Sequence, residues 1–348
     1  MKAHIWLKRI AIVILVGIIL LGIKGFDLYQ KAFSPNVFIP SDEKVYLYIP
    51  TGSTYETVLE NIRELKVVRN MKSLEWTAEK KNYPNLVKAG KYRLKNRMSN
   101  NELINTLRSG HQEPVKLTFN NIRTLEQFSD RIAQQLEFNS QDLLRLLKAD
   151  SIQKKYGFNQ YTINSMFIPN TYEFFWNTPP EKFIDRMHTE YEAFWNNKRQ
   201  RKAEKLNMTR EEIITLASIV DQETDMNDEK SRIAGVYLNR INKGMRLQAD
   251  PTVIYAVGNF NIKRVLRKHY QINSPFNTYR VDGLPPGPIC LPEISSIDAV
   301  LDYEKHNYLY MCAKPDFSGY HVFAKTLNEH NKNAALYRKE LNKRRIYR

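Results

Sequence analysis

Between Arg9 and Lys24 the chain carries no charge: Ile10 to Ile23 reads IAIVILVGIILLGI. Such a stretch has few ways to fold, because its backbone must satisfy its own hydrogen bonds in an apolar medium, which favours a helix. The clean run is shorter than the roughly 20 residues that span a bilayer. Trp6 and Leu7 before it, and Gly25 and Phe26 after it, lengthen it if Lys8, Arg9 and Lys24 reach out to the headgroups. A cleaved signal peptide is the competing reading, but no small-x-small cleavage site follows the run. An uncleaved anchor over residues 1–27 is therefore expected. The basic flank stays cytoplasmic by the positive-inside rule. The chain is then a single-pass protein of the cytoplasmic (inner) membrane, with its folded part on the outer, periplasmic side.

The other residues of the 348 suit two folded units, and 42% hydrophobic with 11% aromatic content supplies cores for them. The net charge of +16 first suggests nucleic acid. An exported chain rarely meets nucleic acid, and none of its binding motifs is present, so no nucleic-acid partner is expected. Lipid headgroups or an anionic wall polymer fit better. The tail Tyr337–Arg348 reads as a basic helix end. Cys290 and Cys312 are read as two free or buried thiols, although a disulfide is permitted outside the cytoplasm. The seven histidines lack metal-ligand spacing, so neither a metal nor another cofactor is expected.

Residues 28–44, with Pro35 and Pro40, read as a linker. Val45–Ile49 alternates as a strand, Pro50-Thr51-Gly52 turns, and Ser53 or Thr54 caps a helix bearing Val58, Leu59, Ile62 and Leu65. Tyr92–Leu94 is a second short strand. Ser99 with Glu102 forms a capping box and Gly110 stops the helix that follows. This α/β module, over residues 45–112, resembles the LysM-like glycan-binding modules. The remaining residues, 113–348, read as one mixed α/β domain. It has a strand at Val115–Phe119 and two helices between Leu125 and Leu147. The overall class is α+β. Phe167–Phe174 (FIPNTYEF) reads equally as a sugar-contacting loop with Glu173 at its centre or as an aromatic core segment with a surface glutamate.

Thr209 and Glu212 form another capping box, opening a helix on which Ile213, Ile214, Leu216, Ala217, Ile219 and Val220 mark an apolar arc. At about 100° per residue, Asp221 and Glu223 flank that arc and Gln222 faces away. A carboxyl beside apolar groups is desolvated and stays protonated nearer neutrality, as a general acid must. The alternative is a structural carboxylate paired with Arg232 or Arg240. Helix geometry does not choose between Asp221 and Glu223. Asp225, Asp228 and Glu229 are explained by the next helix, which they cap and whose dipole they oppose. Beyond it, LQADPTVIY places Gln248 just before a short helix, with Asp250 as its N-cap, Pro251 at N1 and Tyr255 within it. Asn277 and Tyr279 (PFNTY) and the run Gly283–Ile289 (GLPPGPI) form stiff loops whose polar groups suit a sugar.

These segments together carry a resemblance. ASIVDQET, AGVYLNRINKGMRLQADPTVIY, FNTY, GLPPGPI and HVFAKTLNEHN are similar to the MltG-type (YceG-like) endolytic murein transglycosylases. The likeness covers most of the chain and is densest from Leu216 to Asn331. In that family the helix usually reads EKET and its second glutamate is catalytic, which is the position of Glu223. Asp221 and Gln222 replace the other two letters, and Asn170 stands where the family usually has Asp.

The resemblance implies cleavage of the β-1,4 bond between N-acetylmuramic acid and N-acetylglucosamine with 1,6-anhydro ends, terminating nascent strands. It implies glycan strands as substrate, and an enzyme anchored in the membrane is placed to cut strands as they are made, which suggests peptidoglycan synthases as partners. Glu223 alone would protonate the leaving oxygen and later take the hydroxyl proton. Gln248, Asp250, Tyr255, Asn277 and Tyr279, with Glu173 as a further candidate, would hold the sugar. Two rival readings remain: a non-catalytic wall-binding protein, and a muramidase-type hydrolase with Asp221 as its second carboxylate.

Overall fold

The computed structural model describes residues 2–40, 43–262 and 264–344. Met1 of the expected anchor and the last four residues of the basic tail lie outside the described residues. The chain is mixed α and β, with three two-stranded sheets among helices. It divides into two compact units: the chain up to Lys116 together with Glu173–Thr178, and Leu117–Tyr172 together with the chain from Pro179 onward.

In the first unit, α1 (Lys2–Phe33) is the one helix among the described residues long and apolar enough to cross a membrane. At 1.5 Å per residue it exceeds the bilayer's hydrocarbon core of about 30 Å. Its apolar side chains, Ile12, Val13 and Leu21 among them, are exposed. The helix runs into the segment expected as a linker, and Val37 and Ile39 beyond it are core residues. A polar seam accounts for the continuation. Asn100 Nδ2 donates to Lys31 O at 2.8 Å and to Ser73 Oγ at 2.9 Å, and Asn36 Nδ2 donates to Asn100 Oδ1 at 2.7 Å.

β1 (Val45–Ile49) pairs antiparallel with β2 (Gly90–Leu94), Val45 opposite Leu94 and Ile49 opposite Gly90. Between them lie α2 (Tyr55–Leu65) and α3 (Met71–Lys80), and α4 (Asn100–Ser109) follows. Thr54 is the cap of α2, accepting from Thr57 N at 3.3 Å. Ser99 and Glu102 close the capping box of α4, and Gly110 ends it at φ 75°, where a side chain would be strained. Leu47, Ile49, Val58, Ile62, Leu74, Tyr92, Leu103 and Leu107 form the core. α3 has little apolar periodicity to mark it in the sequence, since its only buried apolar residues are Leu74 and Ala78.

The second strand pair is β3 (Val115–Thr118) with β4 (Thr171–Phe174). The second unit adds α5 (Leu125–Ala133), α6 (Ser140–Lys148), α7 (Asp150–Lys155), α8 (Pro180–Phe194), α9 (Asn197–Lys205), α10 (Arg210–Glu223), α11 (Asn227–Asn242), α12 (Asp250–Val257) and α13 (Ile294–Leu301). A hairpin of β5 (Tyr310–Ala313) and β6 (His321–Ala324) leads to α14 (Leu327–Lys343). Of the two readings of FIPNTYEF, the aromatic core holds within this unit. Phe167, Ile168 and Tyr172 are buried, and Phe167 packs 4.1 Å from Phe128 between ring centres.

The unit is organised around α10. Ile213 through Val220 are buried without a break, so the helix is enclosed on all sides rather than along one arc. α11, α12 and α13 pack on it. Its small polar residues are absorbed locally. Ser218 Oγ donates to Thr215 O at 2.7 Å and accepts from Ile289 N at 3.0 Å. That second bond belongs to a strap, Gly287 to Pro292, that is buried. GLPPGPI is thus largely core packing instead of an open sugar loop. A Cβ at Gly287 would come within 2.0 Å of Tyr161 O, so only glycine allows the strap this approach.

Candidate active site

Glu223 is the last residue of α10, where the helix emerges from the core. Its carboxyl faces a cavity of about 340 Å³, walled by α11, the start of α12, the β5–β6 hairpin and α14. Tyr237 on α11 donates its hydroxyl to Glu223 Oε1 at 2.5 Å. Burial raises the Glu223 pKa above the usual carboxylate range, although the Tyr237 bond and the charges of His321 and Arg240 oppose it. Its place at the negative end of the helix dipole works in the same upward direction. Burial also holds the Tyr237 hydroxyl protonated, pushing its pKa well up.

Asp221 lies elsewhere. Its Oδ1 accepts from Ser296 Oγ, from Lys230 Nζ at 3.4 Å and from Glu293 N at 3.3 Å. Lys230 is only 3% exposed and also reaches Glu293 Oε2 at 3.1 Å. Asp221 is therefore a structural carboxylate, paired with Lys230 and not with Arg232 or Arg240. Arg232 binds Glu304, and Arg240 donates to the carbonyls of Leu309, Arg246 and Leu247. Gln222 does not face away either. Its Oε1 accepts from Arg123, and its Nε2 lies 3.6 Å from the buried Cys290 thiol.

Of the candidate sugar contacts, Gln248, Asp250 and Tyr279 line the cavity beside Glu223. Gln248 stands at φ 50°, and its Oε1 receives Arg240 at 3.4 Å. Asp250 is the first residue of α12, whose N-cap is Ala249, and caps nothing. The hydroxyls of Tyr279 at 2.7 Å and Tyr270 at 3.2 Å claim its carboxylate instead. Tyr255, Asn277 and Glu173 do not line the cavity. Tyr255 packs against Phe276 and Phe260. Asn277 is fully buried and donates to the carbonyls of Tyr270 and Ile272, which makes it a loop clamp. Glu173 is an exposed residue of β4 in the first unit. No cluster of His, Cys, Asp or Glu among the described residues is arranged to hold a metal ion. Cys290 and Cys312 are both free thiols.

The sequence model of the YceG-like family matches residues 47–336, from β1 into α14. The chain belongs to the YceG-like family. Among its relatives is a protein of Bacillus subtilis (strain 168) named endolytic murein transglycosylase, 31% identical over 332 residues, covering 90% of this chain and 91% of that one. A protein of the same name in Streptococcus pneumoniae serotype 2 is 28% identical over 360 residues, which cover 94% of this chain and 65% of that longer one. A crystal structure of a putative YceG-like protein from Listeria monocytogenes superposes with a TM-score of 0.57 at 32% identity, over 84% of this chain and 99% of that one.

Tyr237, Arg240, His321 and His330 also line this YceG-like cavity; of these the sequence singles out only Arg240, as an ion-pair partner for a structural carboxylate. Tyr237 lies 14 positions from Glu223, a spacing with no helical meaning across a break between two helices. His321 meets Glu229, 92 positions earlier. No local pattern encodes such a pairing. Glu229, expected to cap α11 and oppose its dipole, lies in the first turn of that helix but is 2% exposed and bonded to His321. Met226, not an aspartate, is the N-cap of α11.

Proposed function

We propose that this YceG-like protein is a membrane-anchored endolytic lytic transglycosylase acting on peptidoglycan glycan strands, with Glu223 as its acid. The observation that carries the reading is a half-buried glutamate whose carboxyl, its pKa raised by desolvation, stands at the wall of a cavity of about 340 Å³. The names of the relatives give the substrate class. Tyr237 occupies Oε1, so the proton to be donated rides on Oε2. Glu223 gives it to the oxygen leaving C1 of N-acetylmuramic acid as the β-1,4 bond breaks. The 6-hydroxyl of the same sugar closes on C1, forming the 1,6-anhydro ring and losing its proton to a base. The nucleophile is tethered, so little entropy is lost in bringing it to C1. The Asp250 carboxylate, held by two tyrosine hydroxyls, supports positive charge developing at C1, while Gln248 and Tyr279 hold the ring.

A hydrolase would require a second carboxylate to activate water. Asp221, the candidate for that role, is engaged with Lys230 and Ser296, and Asp250, the other carboxylate lining the cavity, is held by the Tyr279 and Tyr270 hydroxyls. The exposed apolar face of α1 supports a membrane anchor, with the folded part outside, where strands are made. Cutting there would terminate nascent strands beside the synthases that extend them. The β1-α2-α3-β2 order of the first unit supports a LysM-like, glycan-engaging role for it. The test is mass spectrometry of products from purified uncrosslinked glycan. Anhydro-ended fragments are expected; fragments with reducing ends would overturn the reading in favour of hydrolysis, and an absence of fragments in favour of a wall-binding protein.

A further inference from the structure

One buried carboxylate near the cavity is unexplained by helix capping or by the acid role of Glu223. Glu229 spends both oxygens on a single residue. Oε1 accepts from the backbone N of His321 at 2.9 Å, and Oε2 lies 2.8 Å from His321 Nδ1. Glu229 is 2% exposed and the His321 side chain 13%. A carboxylate at Nδ1 selects the imidazole tautomer that carries its proton there and leaves the lone pair on Nε2. Nε2 has no hydrogen-bond partner among the described residues. His321 opens β6 and lines the same cavity as Glu223, closely enough for its imidazolium, once formed, to bear on the Glu223 carboxyl.

The geometry points to His321 as the base of the reaction, with Glu229 as the residue that positions it. This rests on the function proposed above and divides between two residues the proton transfers that one glutamate would otherwise make in turn. The O–H bond of the sugar's 6-hydroxyl breaks and its proton passes to His321 Nε2. The freed oxygen pair forms the bond to C1, the C1–O bond to the next sugar breaks, and that oxygen takes the proton of Glu223. The products are the anhydro-ended strand, a new strand with a free 4-hydroxyl, an imidazolium and a carboxylate. One proton returning from Nε2 to Glu223, directly or through water, resets the site without a co-reactant. The two charges arise in one cavity with opposite signs, so each stabilises the other. The other charged or titratable groups that line the cavity with His321 are Glu223 from α10, Tyr237 and Arg240 from α11, Asp250 from α12, Tyr279 from the loop after it, Tyr310 and Cys312 from β5 and His330 from α14, and Glu229 of α11 is bonded to the ring.

The test uses the full chain in detergent, with uncrosslinked glycan strands as substrate and circular dichroism as the folding check. His321→Ala is expected to lower kcat by on the order of 10²–10⁴, the usual worth of a general base, with KM changed far less. Imidazole in the buffer is expected to restore part of the His321→Ala rate. In both His321→Ala and His321→Gln, the acidic limb of the kcat/KM profile against pH should vanish. Glu229→Gln, which unsettles the tautomer, is expected to lower kcat while leaving that limb in place. A folded His321→Ala with near wild-type kcat overturns the proposal. So does a slow His321→Ala that imidazole does not rescue and whose acidic limb persists. Should His321→Ala not fold, His321→Gln carries the pH test alone. If Glu223→Gln is inactive and products are anhydro-ended while both His321 variants stay fast, only the base assignment fails. If Glu223→Gln is active, the proposed function itself fails.

Discussion

Replacing Asp221 with alanine tests whether the carboxylate two residues before Glu223 belongs to the scaffold or to the chemistry. The substitution removes the acceptor for the Ser296 hydroxyl and the Glu293 amide, together with one of the two carboxylates on Lys230. Lys230 is 3% exposed, so its ammonium cannot turn to water for compensation. Removing one partner of a buried pair costs about 3–5 kcal/mol. Glu293 stays at 3.1 Å and Ser295 Oγ at 3.0 Å, and these survivors favour the lower end of that range, about 3 kcal/mol. For a domain of this size each kcal/mol moves Tm by about 2–4 °C, so a fall of about 6–12 °C is expected. Asp221→Asn keeps an acceptor for Ser296 and the amide, and should lose less. Thermal melts of the full chain in detergent measure the fall, and turnover assayed well below both melting points measures the chemistry. Turnover of folded Asp221→Ala should stay within about threefold of wild type, since Asp221 and its partners Lys230, Glu293 and Ser296 do not line the cavity that Glu223 faces. The reasoning is refuted by an unchanged Tm, or by a folded variant whose turnover has collapsed.

Further outcomes follow from the same geometry. Because burial raises the folded-state pKa of Glu223 above its unfolded value of about 4.3, the unfolded chain releases this proton first as pH rises. Stability is thus full below the unfolded value and is lost up to the folded one. Glu223→Gln should melt with wild type near pH 4 and above it at pH 8; equal melts at both would contradict a desolvated acid. Gly287→Ala should destabilise strongly, because its Cβ would stand 2.0 Å from Tyr161 O, a backbone atom with no rotamer to escape into; a melt within about 1 °C of wild type would refute the close approach. If α1 is an uncleaved anchor, the mature protein keeps Met1 and stays in the membrane fraction after high salt. A soluble product beginning near residue 25–35 would defeat that reading.

What could be read from the sequence was what adjacent residues encode. The apolar run of α1, the capping boxes at Ser99 and Thr209 and the stop at Gly110 are each complete within a few residues, and each is present. Glu223 was one of two candidates on helix geometry, and the family resemblance singled it out. The enclosure of α10 was hidden because Thr215 and Ser218 are polar letters that satisfy themselves inside the helix and against Ile289. Residue type misled at Asn277 and Tyr255. An amide and a phenol in a loop look the same whether they meet a sugar or clamp a carbonyl and pack on Phe276. The far wall of the cavity was beyond reach, since Tyr237 and His321 arrive through packing across long separations.

The most direct test of Glu223 as the acid is the rate at which folded Glu223→Gln releases 1,6-anhydro ends from uncrosslinked glycan, set beside Asp221→Asn in the same assay. The amide keeps the shape and the Tyr237 bond but has no proton to give. General acids are worth about 10²–10⁴-fold, and a loss at the upper end of that range is expected, with glycan binding retained. Asp221→Asn should remain near wild type. Near wild-type release by Glu223→Gln, or loss of release in folded Asp221→Asn instead, would contradict the assignment.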